Sequence, residues 1–195
     1  MTRFKSFVIG VCTLGAAVLT AQAAITDITP GGAVPFDGSL YKVFTAPSIS
    51  WGDAETYISA NLPGWHLATV TSGIENAFIW GVIEGAWVSA GNMPPPGQYW
   101  LGGYQDPPTV WHWVTGEAWS YTNWAPGEPN GDLGGNGHLT VGRYGDWKWN
   151  DEGAAPSLIT GFVVETAVPE PSTCVAGILL ILPLILQSVR SLRKH

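Results

Sequence analysis

Cysteine is nearly absent from this chain of 195 residues. Its two cysteines, Cys12 and Cys174, lie near opposite ends, and none lies between them. The central region therefore has no internal disulfide, and a domain formed there must be stabilised by its hydrophobic core. The length is that of one ordinary domain.

Basic residues are also scarce in the central part of the chain. Between Ala24 and Glu165 only Lys42, Arg143 and Lys148 are basic, against fourteen acidic residues, which leaves a formal charge near −11. Nucleic acid carries a dense negative charge and requires a basic surface. The composition therefore argues against nucleic acid as a partner and is compatible with cations or neutral ligands.

The residues of a catalytic site are missing as well. His66, His112 and His138 are scattered without a zinc spacing, which favours structural roles. Sequence order reveals neither a Ser-His-Asp set nor a glycosidase pair of carboxylates. We therefore predict a protein that is not an enzyme.

The amino terminus has the pattern of a secretory signal peptide. Arg3 and Lys5 precede an apolar run from Val8 to Leu19, and Ala21-Gln22-Ala23 forms an A-x-A cleavage site. The alternative is an uncleaved membrane anchor, but the run is short for a membrane span. We therefore predict that residues 1–23 are removed on export.

The carboxyl terminus combines a short motif, an apolar run and a basic end. Pro169-Glu170-Pro171 precedes an apolar stretch from Cys174 to Leu186. A helix extended to Val189 would approach the roughly 20 residues that a membrane span needs, and the following cations would stay on the cytoplasmic side. The alternative is a simple C-terminal anchor.

The order of these parts resembles the bacterial PEP-CTERM sorting signal. The resemblance covers residues 168–195, and Pro169, Glu170 and Pro171 form its motif. It implies transient anchoring in the inner membrane of a Gram-negative bacterium and processing by an exosortase-type enzyme. The expected destination is the cell surface or the extracellular matrix.

The first half of the central region is predicted to alternate strands and helices. Residues 24–39, rich in glycine, proline and threonine, are predicted as an irregular lead-in. Leu40–Phe44 alternates like an edge strand. Ser50 can cap a helix that ends at Pro63-Gly64, and a short strand from Trp65 to Val70 follows.

A second helix is predicted to start near Thr71–Glu75 and to continue to Glu84. No helical pattern follows it, and long loops rich in glycine and proline separate the remaining short strands. Those strands are predicted at Tyr99–Gly103, where glycines are expected to break the strand, and at Val110–Val114, His138–Val141, Trp147–Trp149 and Gly161–Glu165. The fold class is α+β, over residues 40–167.

Two polar strings in the second half offer side-chain oxygens. Glu128-Pro129-Asn130 lies within NWAPGEPNGD, and Asn150-Asp151 lies within WKWNDE. Taken alone, the first string is typical of a surface turn. Neither string offers a strong nucleophile or a general base near neutral pH, so the two strings together favour a site that holds a ligand over one that cleaves it. The flanking Trp-x-Trp pairs are predicted in the core, and Asp146 and Glu152 are predicted to be solvated.

In order and spacing, the motifs of residues 40–167 resemble those of a C-type lectin domain. The resemblance is carried by Trp51…Ala54, His66-Leu67-Ala68-Thr69-Val70, Glu75-Asn76, Trp100-Leu101-Gly102, Trp111-x-Trp113, Asn123-Trp124, Glu128-Pro129-Asn130, Trp149-Asn150-Asp151 and Phe162-Val163-Val164-Glu165. It implies two helices flanking a small antiparallel sheet, and a second sheet that carries a long loop region.

The resemblance also implies a ligand set. Glu128, Asn130, Asn150 and Asp151 would ligate one calcium ion, with a cis Glu128–Pro129 bond, and two sugar hydroxyls would complete the shell. Carboxylates can accept the hydroxyl protons, and asparagine amides can donate to the hydroxyl oxygens. In the family, Glu-Pro-Asn accompanies mannose, glucose and N-acetylglucosamine. The implied function is reversible carbohydrate binding at the bacterial surface or in an exopolysaccharide matrix.

Three features depart from the family pattern. Asn136 stands where a third acidic ligand is usual, so only two carboxylates remain unless Asp132 contributes. Gly131 replaces an acid of the auxiliary calcium site, and both family disulfides are missing. These departures predict weak calcium binding. They also leave an alternative function open, that of a structural or protein-binding matrix component that keeps the fold without binding sugar.

Overall fold

The computed structural model describes residues 24–91, 97–106, 109–131, 137–153 and 156–168. Within these ranges the chain forms two α-helices, one short 3-10 helix and nine strands. The helices are α1 (Trp51–Asn61) and α2 (Gly73–Ser89). The strands are β1 (Thr26–Asp27), β2 (Val34–Phe36), β3 (Ser39–Thr45), β4 (His66–Leu67), β5 (Gln98–Asp106), β6 (Val110–Trp113), β7 (His138–Val141), β8 (Trp149–Glu152) and β9 (Ile159–Ala167).

Both helices begin at a serine cap. The side chain of Ser50 accepts a hydrogen bond from the backbone N–H of Asp53, and Ser72 accepts one from that of Glu75. A serine oxygen at this position satisfies a backbone donor that has no partner within the helix. The predicted helix starts are confirmed, although α2 continues five residues beyond the predicted end, to Ser89. In the part of the chain that the structure describes, neither helix is long and apolar enough to cross a membrane.

The strands form one mixed sheet with the order β1-β3-β9-β5-β7-β8. Strands β2, β4 and β6 pair outside that path with β3, β9 and β5. The β5–β9 pair is parallel, whereas the other strand pairs are antiparallel. Two helices and a sheet of this order agree with the predicted α+β class, but the expected pair of antiparallel sheets is one connected mixed sheet.

The beginning of the sheet differs from the prediction. Leu40–Phe44 is not an edge strand, because β3 pairs with β9 on one side and with β1 and β2 on the other. The lead-in of residues 24–39 supplies β1 and β2. Asp37 and Gly38 both have positive φ in the two-residue turn between β2 and β3. An Asp-Gly pair is a strong hairpin signal, so this turn was predictable from the sequence.

Glycines do not break β5. The strand continues through Gly102 and Gly103 to Asp106. A Cβ atom on Gly103 would lie 2.8 Å from the Cβ of Leu139, so glycine at this position permits the close approach of β5 and β7. The ladder is irregular here, since the register between the two strands shifts between Trp100 and Tyr104.

Each face of the sheet packs against one helix. Alternate residues of β9 point to opposite faces, so Val163 packs with Ile79 and Ile83 of α2, whereas Phe162 packs with Ile58 of α1. All five of these side chains are buried. The cluster on the α2 side also contains Trp113 and Trp149, and it extends to the part of the sheet where the candidate site lies.

Candidate functional site

The loop that carries Glu128 is fastened to strand β8 before it reaches the site. The backbone N–H of Trp149 donates to the carbonyl of Asn123 at 3.0 Å, and the N–H of Ala125 donates to the carbonyl of Trp149 at 2.9 Å. The N–H of Glu128 then donates to the carbonyl of Ala125 at 3.0 Å and closes a turn. These bonds bring Glu128 beside Asp151, two residues beyond Trp149.

Aromatic side chains pack against the same loop and against Trp149. The ring of Trp149 is fully buried and lies 5.6 Å from Trp124 and 5.7 Å from Trp119, centroid to centroid. Trp113 is also buried, so the predicted core role of the Trp-x-Trp pairs is confirmed for one residue of each pair. Trp147 differs, because its side chain is 42% exposed.

The carboxylates of Glu128 and Asp151 converge on the backbone N–H of Asn130, which lies 3.2 Å from Glu128 Oε2 and 3.0 Å from Asp151 Oδ1. The Glu128–Pro129 bond is cis, as the resemblance implied. Burial and the neighbouring charge of Asp151 raise the pKa of Glu128. Two contacts oppose this effect: the Tyr144 hydroxyl donates to Glu128 Oε1 at 3.0 Å, and the Asn130 N–H donates to Oε2 at 3.2 Å. The carboxylates of Glu128 and Asp151 therefore lie close together, and few cationic side chains of the described residues lie near them.

Asp151 also organises the end of the loop. Its Oδ1 accepts the backbone N–H of Asn130, and its Oδ2 accepts that of Gly131, both at 3.0 Å. Asp151 lies in strand β8, which begins at Trp149 and not at Trp147 as predicted. A rigid strand thus fixes one carboxylate, and that carboxylate fixes the loop that carries the other.

Asn150 is almost completely buried, with 1% of its surface exposed. Its side-chain N–H group donates to Gln98 Oε1 at 3.1 Å and to the backbone carbonyl of Asp151 at 3.0 Å. Its Oδ1 is buried and has no hydrogen-bond partner among the residues that the structure describes. An unsatisfied buried acceptor costs about 1–3 kcal/mol, and a cation would satisfy it. This atom and the paired carboxylates therefore fit a calcium ion.

Other predicted site residues cannot be compared with the structure. Asn136, together with Asp132, lies outside the described residues, as does the sorting motif of Pro169, Glu170 and Pro171. Asn130 is described and exposed next to Glu128. No group of three or more His, Cys, Asp or Glu side chains in the described ranges could hold a metal ion.

A buried polar network beside Asn150 was not predicted. Gln98 and Thr140 are fully buried, and the Thr140 hydroxyl donates to Gln98 Oε1 at 2.5 Å. Glu152, predicted to be solvated, is only 8% exposed, so that prediction is wrong. It is buried because residues 150 and 152 share one face of β8, where Glu152 accepts bonds from Gln98 Nε2 at 2.6 Å and Arg143 Nη1 at 3.1 Å. The alternation of side chains along β8 could have predicted that Glu152 lies on the same face as Asn150. It could not have predicted that Gln98, on another strand, lies beside them.

Comparison with known proteins shows the family. The model of the lectin C-type domain matches residues 48–158, more than half of the chain. A lectin from Pleurodeles waltl is 34% identical over 129 residues, which cover 65% of this chain and 69% of that protein. The solved complex of SPL-1 with GlcNAc is 28% identical, covers 70% of this chain and 93% of that one, and gives a TM-score of 0.54.

The chain therefore belongs to the C-type lectin domain family, whose carbohydrate-binding members are not enzymes, and it is itself not an enzyme. Domains of this family generally bind calcium. The fold does not require calcium in every case, since a calcium-independent type II antifreeze protein shares it. That chain is 22% identical, with a TM-score of 0.54 over 73% of this chain and 96% of its own length.

Proposed function

We propose that this protein is a calcium-dependent carbohydrate-binding protein exported to the bacterial surface or into an exopolysaccharide matrix. The proposed ligands are Glu128, Asn130, Asn150 and Asp151, with Asn136 as a further candidate. The observation that carries the proposal is the convergence of the Glu128 and Asp151 carboxylates on the backbone N–H of Asn130. Like charges at this distance repel, and a divalent cation with oxygen ligands would remove the repulsion.

The side chains suit reversible recognition of a sugar. When bound, calcium would offer coordination positions to two neighbouring hydroxyls. Glu128 and Asp151 would accept the hydroxyl protons, and the Asn130 amide could donate to a hydroxyl oxygen. Tyr144 and Trp147, which are 57% and 42% exposed, lie in the adjacent segment and supply apolar surface. Tyr144 contacts Glu128 directly, so it is the better candidate for contact with the sugar.

Mannose, glucose or N-acetylglucosamine is the proposed sugar class. The support is the Glu-Pro-Asn string, together with the similarity to SPL-1, which was solved with GlcNAc. Single sites of this kind bind weakly, so useful avidity on a polysaccharide would require several copies. Export is supported by the signal-like residues 1–23 and by the sorting motif at Pro169–Pro171.

Calcium titration by calorimetry tests the metal. The full-length chain is purified in lauryldimethylamine oxide, because detergents with sugar heads would compete for the site. We expect saturable binding in the wild type and none in Glu128→Gln. The matched control is Glu84→Gln, which removes the same charge from an exposed position on α2 and should leave binding unchanged. Absence of binding by the wild type at millimolar calcium would contradict the proposal.

A glycan array tests the sugar. The same preparation is applied once with calcium and once with a chelator. We expect signals on mannose-, glucose- or N-acetylglucosamine-containing glycans that disappear in chelator and in Glu128→Gln. Equal signals in both conditions would show that recognition does not pass through calcium, and no signal on any glycan would favour a matrix component that does not bind sugar.

A further inference from the structure

We propose that Gln98 is a positioning residue that orients the calcium ligand Asn150, an inference that rests on the proposed function. Gln98 lies at the first position of β5, 52 residues before Asn150, and is completely buried. It belongs to no string that the calcium site was predicted from. Its role follows from the three polar partners that surround its amide.

Burial leaves the Gln98 amide only one favourable orientation. Its Nε2 donates to Glu152 Oε2 at 2.6 Å, and the same carboxylate oxygen accepts Arg143 Nη1 at 3.1 Å. A carboxylate held in an ion pair can only accept hydrogen bonds, so Nε2 must face it. The Gln98 oxygen must then face the opposite side, where Thr140 Oγ1 and Asn150 Nδ2 donate to it at 2.5 and 3.1 Å.

The orientation is transmitted to Asn150. Two acceptors, Gln98 Oε1 and the backbone carbonyl of Asp151, lie within 3.1 Å of Asn150 Nδ2. Rotation of the amide by 180° would place Oδ1 against both acceptors, which is unfavourable in a buried site. Among the residues that the structure describes, the Asn150 oxygen is therefore the atom left without a partner. The network presents the asparagine as an oxygen ligand and keeps its N–H group away from the cation.

The decisive variant is Gln98→Met, which has a similar volume but neither donates nor accepts strongly. Calcium affinity should fall by between about tenfold and a hundredfold, the usual effect of removing a group that orients a metal ligand. Tyr99→Phe is the matched control. It removes a partly buried hydrogen bond, donated by Trp87 Nε1, at the next position of β5 but leaves the Gln98–Asn150 bond intact, so it should change calcium affinity by less than about threefold.

A charge-neutral exchange supplies the rescue. In Gln98→Glu/Glu152→Gln, the new glutamate at position 98 still accepts from Asn150, and the new glutamine at position 152 can donate to that glutamate. Calcium affinity should therefore return to within about threefold of the wild type. Side-chain amide signals in calcium-free ¹H–¹⁵N spectra give a second readout. Proton exchange of the Asn150 amide, assigned by its loss in Asn150→Asp, should be slow in the wild type and the double variant and fast in Gln98→Met.

The outcomes separate the two proposals. If the wild type binds calcium and Gln98→Met binds equally well, Gln98 does not position Asn150 and only this inference fails. Equal losses in Gln98→Met, Tyr99→Phe and the double variant would also overturn it, because they would indicate general loosening of the strands. If the wild type binds no calcium, the proposed function fails and this inference fails with it.

Discussion

At the scale of single residues, the site is governed by the repulsion between Glu128 and Asp151. Burial and the Asp151 carboxylate raise the pKa of Glu128 above the ordinary glutamate value of 4.5. In the calcium-free protein, this shift contributes stability below the unfolded-state pKa, and that contribution is lost as the pH rises through the folded-state pKa. Calcium requires the ionised form, so protons and calcium compete for the same carboxylates.

The first prediction concerns this competition. Calcium affinity should begin to fall at a pH above that expected for an ordinary glutamate, because Glu128 takes up its proton early. Tyr144→Phe removes a hydrogen bond that lowers the pKa of Glu128, so it should move the loss of affinity to still higher pH. Calcium titrations between pH 4.5 and 7.5 test this. Identical pH profiles for the two proteins would show that Tyr144 does not stabilise the ionised Glu128.

The second prediction concerns Asn136, which the structure does not describe. Ligand charge is a main determinant of calcium affinity, and extracellular sites bind at roughly 10⁻⁴–10⁻³ M. With two carboxylates, this site should lie at the weak end of that range. Asn136→Glu should tighten calcium binding by about tenfold, equivalent to about 1.4 kcal/mol. Calorimetry should also show tighter sugar binding at limiting calcium but little gain at saturation. Unchanged calcium affinity would mean that residue 136 lies outside the calcium shell, that Asp132 already supplies the third carboxylate, or that the loop is not a calcium site.

At the scale of structural elements, a buried polar contact joins α2 to the sheet. The Tyr41 hydroxyl on β3 lies 2.8 Å from Glu75 Oε1 on α2 and 3.0 Å from Glu165 Oε1 on β9. The second oxygens of these carboxylates accept from the backbone N–H and hydroxyl groups of Thr71 and Thr69, respectively. Burial and both carboxylates raise the pKa of Tyr41, so its hydroxyl remains a proton donor.

The third prediction follows from this contact. Tyr41→Phe keeps the ring but removes the single hydroxyl proton that lies between two buried carboxylate oxygens, so it should lower the free energy of unfolding by about 1–3 kcal/mol. Urea denaturation measures the change. Tyr57→Phe is the matched control, because its ring packs on Phe44 and Phe162 at the α1 face, and no acidic group is involved in those contacts. Tyr41→Phe should not change calcium affinity. A loss of calcium affinity equal to that of Glu128→Gln would contradict the separation of the Tyr41 contact from the candidate calcium site.

Elements were predictable where local chemistry determines them. Ser50 and Ser72 cap the helices because a serine oxygen next to a helical segment satisfies a free N–H group. Strand partners were harder, since pairing depends on residues distant in sequence. The position of Leu40–Phe44 in the sheet was predicted wrongly. Pro35 and two glycines interrupt the strand pattern of residues 24–39, so the short strands that pair with this segment were not predicted. A two-residue turn at Asp37–Gly38 was the available local signal.

The same distinction applies to the site. The proposed ligands Glu128 and Asp151 could be predicted because their residue types and their motif indicate the proposed chemistry. Gln98 has no such signature, since glutamine is common on surfaces, and only its burial in the structure indicates the proposed role. Glu152 was assigned to solvent because an isolated glutamate usually lies there. Its burial depends on Arg143, which lies in the turn between β7 and β8.

At the scale of the whole molecule, stability depends on packing without a disulfide in the described domain. Calcium binding should therefore add measurable stability, because a ligand that binds only the folded state stabilises it. At ten times the dissociation constant, the gain should be about 1.4 kcal/mol, a shift in melting temperature of a few degrees for a chain of this size. Magnesium, which prefers a smaller octahedral site, is the control. Equal shifts with both ions would indicate screening of the acidic surface and not a specific site.

The last prediction concerns the route of the whole chain. Glu170 lies between Pro169 and Pro171, at the start of the segment that resembles a sorting signal. If an exosortase-type enzyme recognises this motif, Glu170→Ala should accumulate in the inner membrane of the native host and be depleted from the surface and the medium. Ser172→Ala, one residue beyond the motif, is the control and should be sorted like the wild type. Fractionation with an antibody against the domain measures the distribution. Because the substitution lies outside residues 24–168, calcium affinity should not change, so loss of sorting can be distinguished from loss of folding. Wild-type release of the Glu170→Ala protein would contradict the sorting role of the motif.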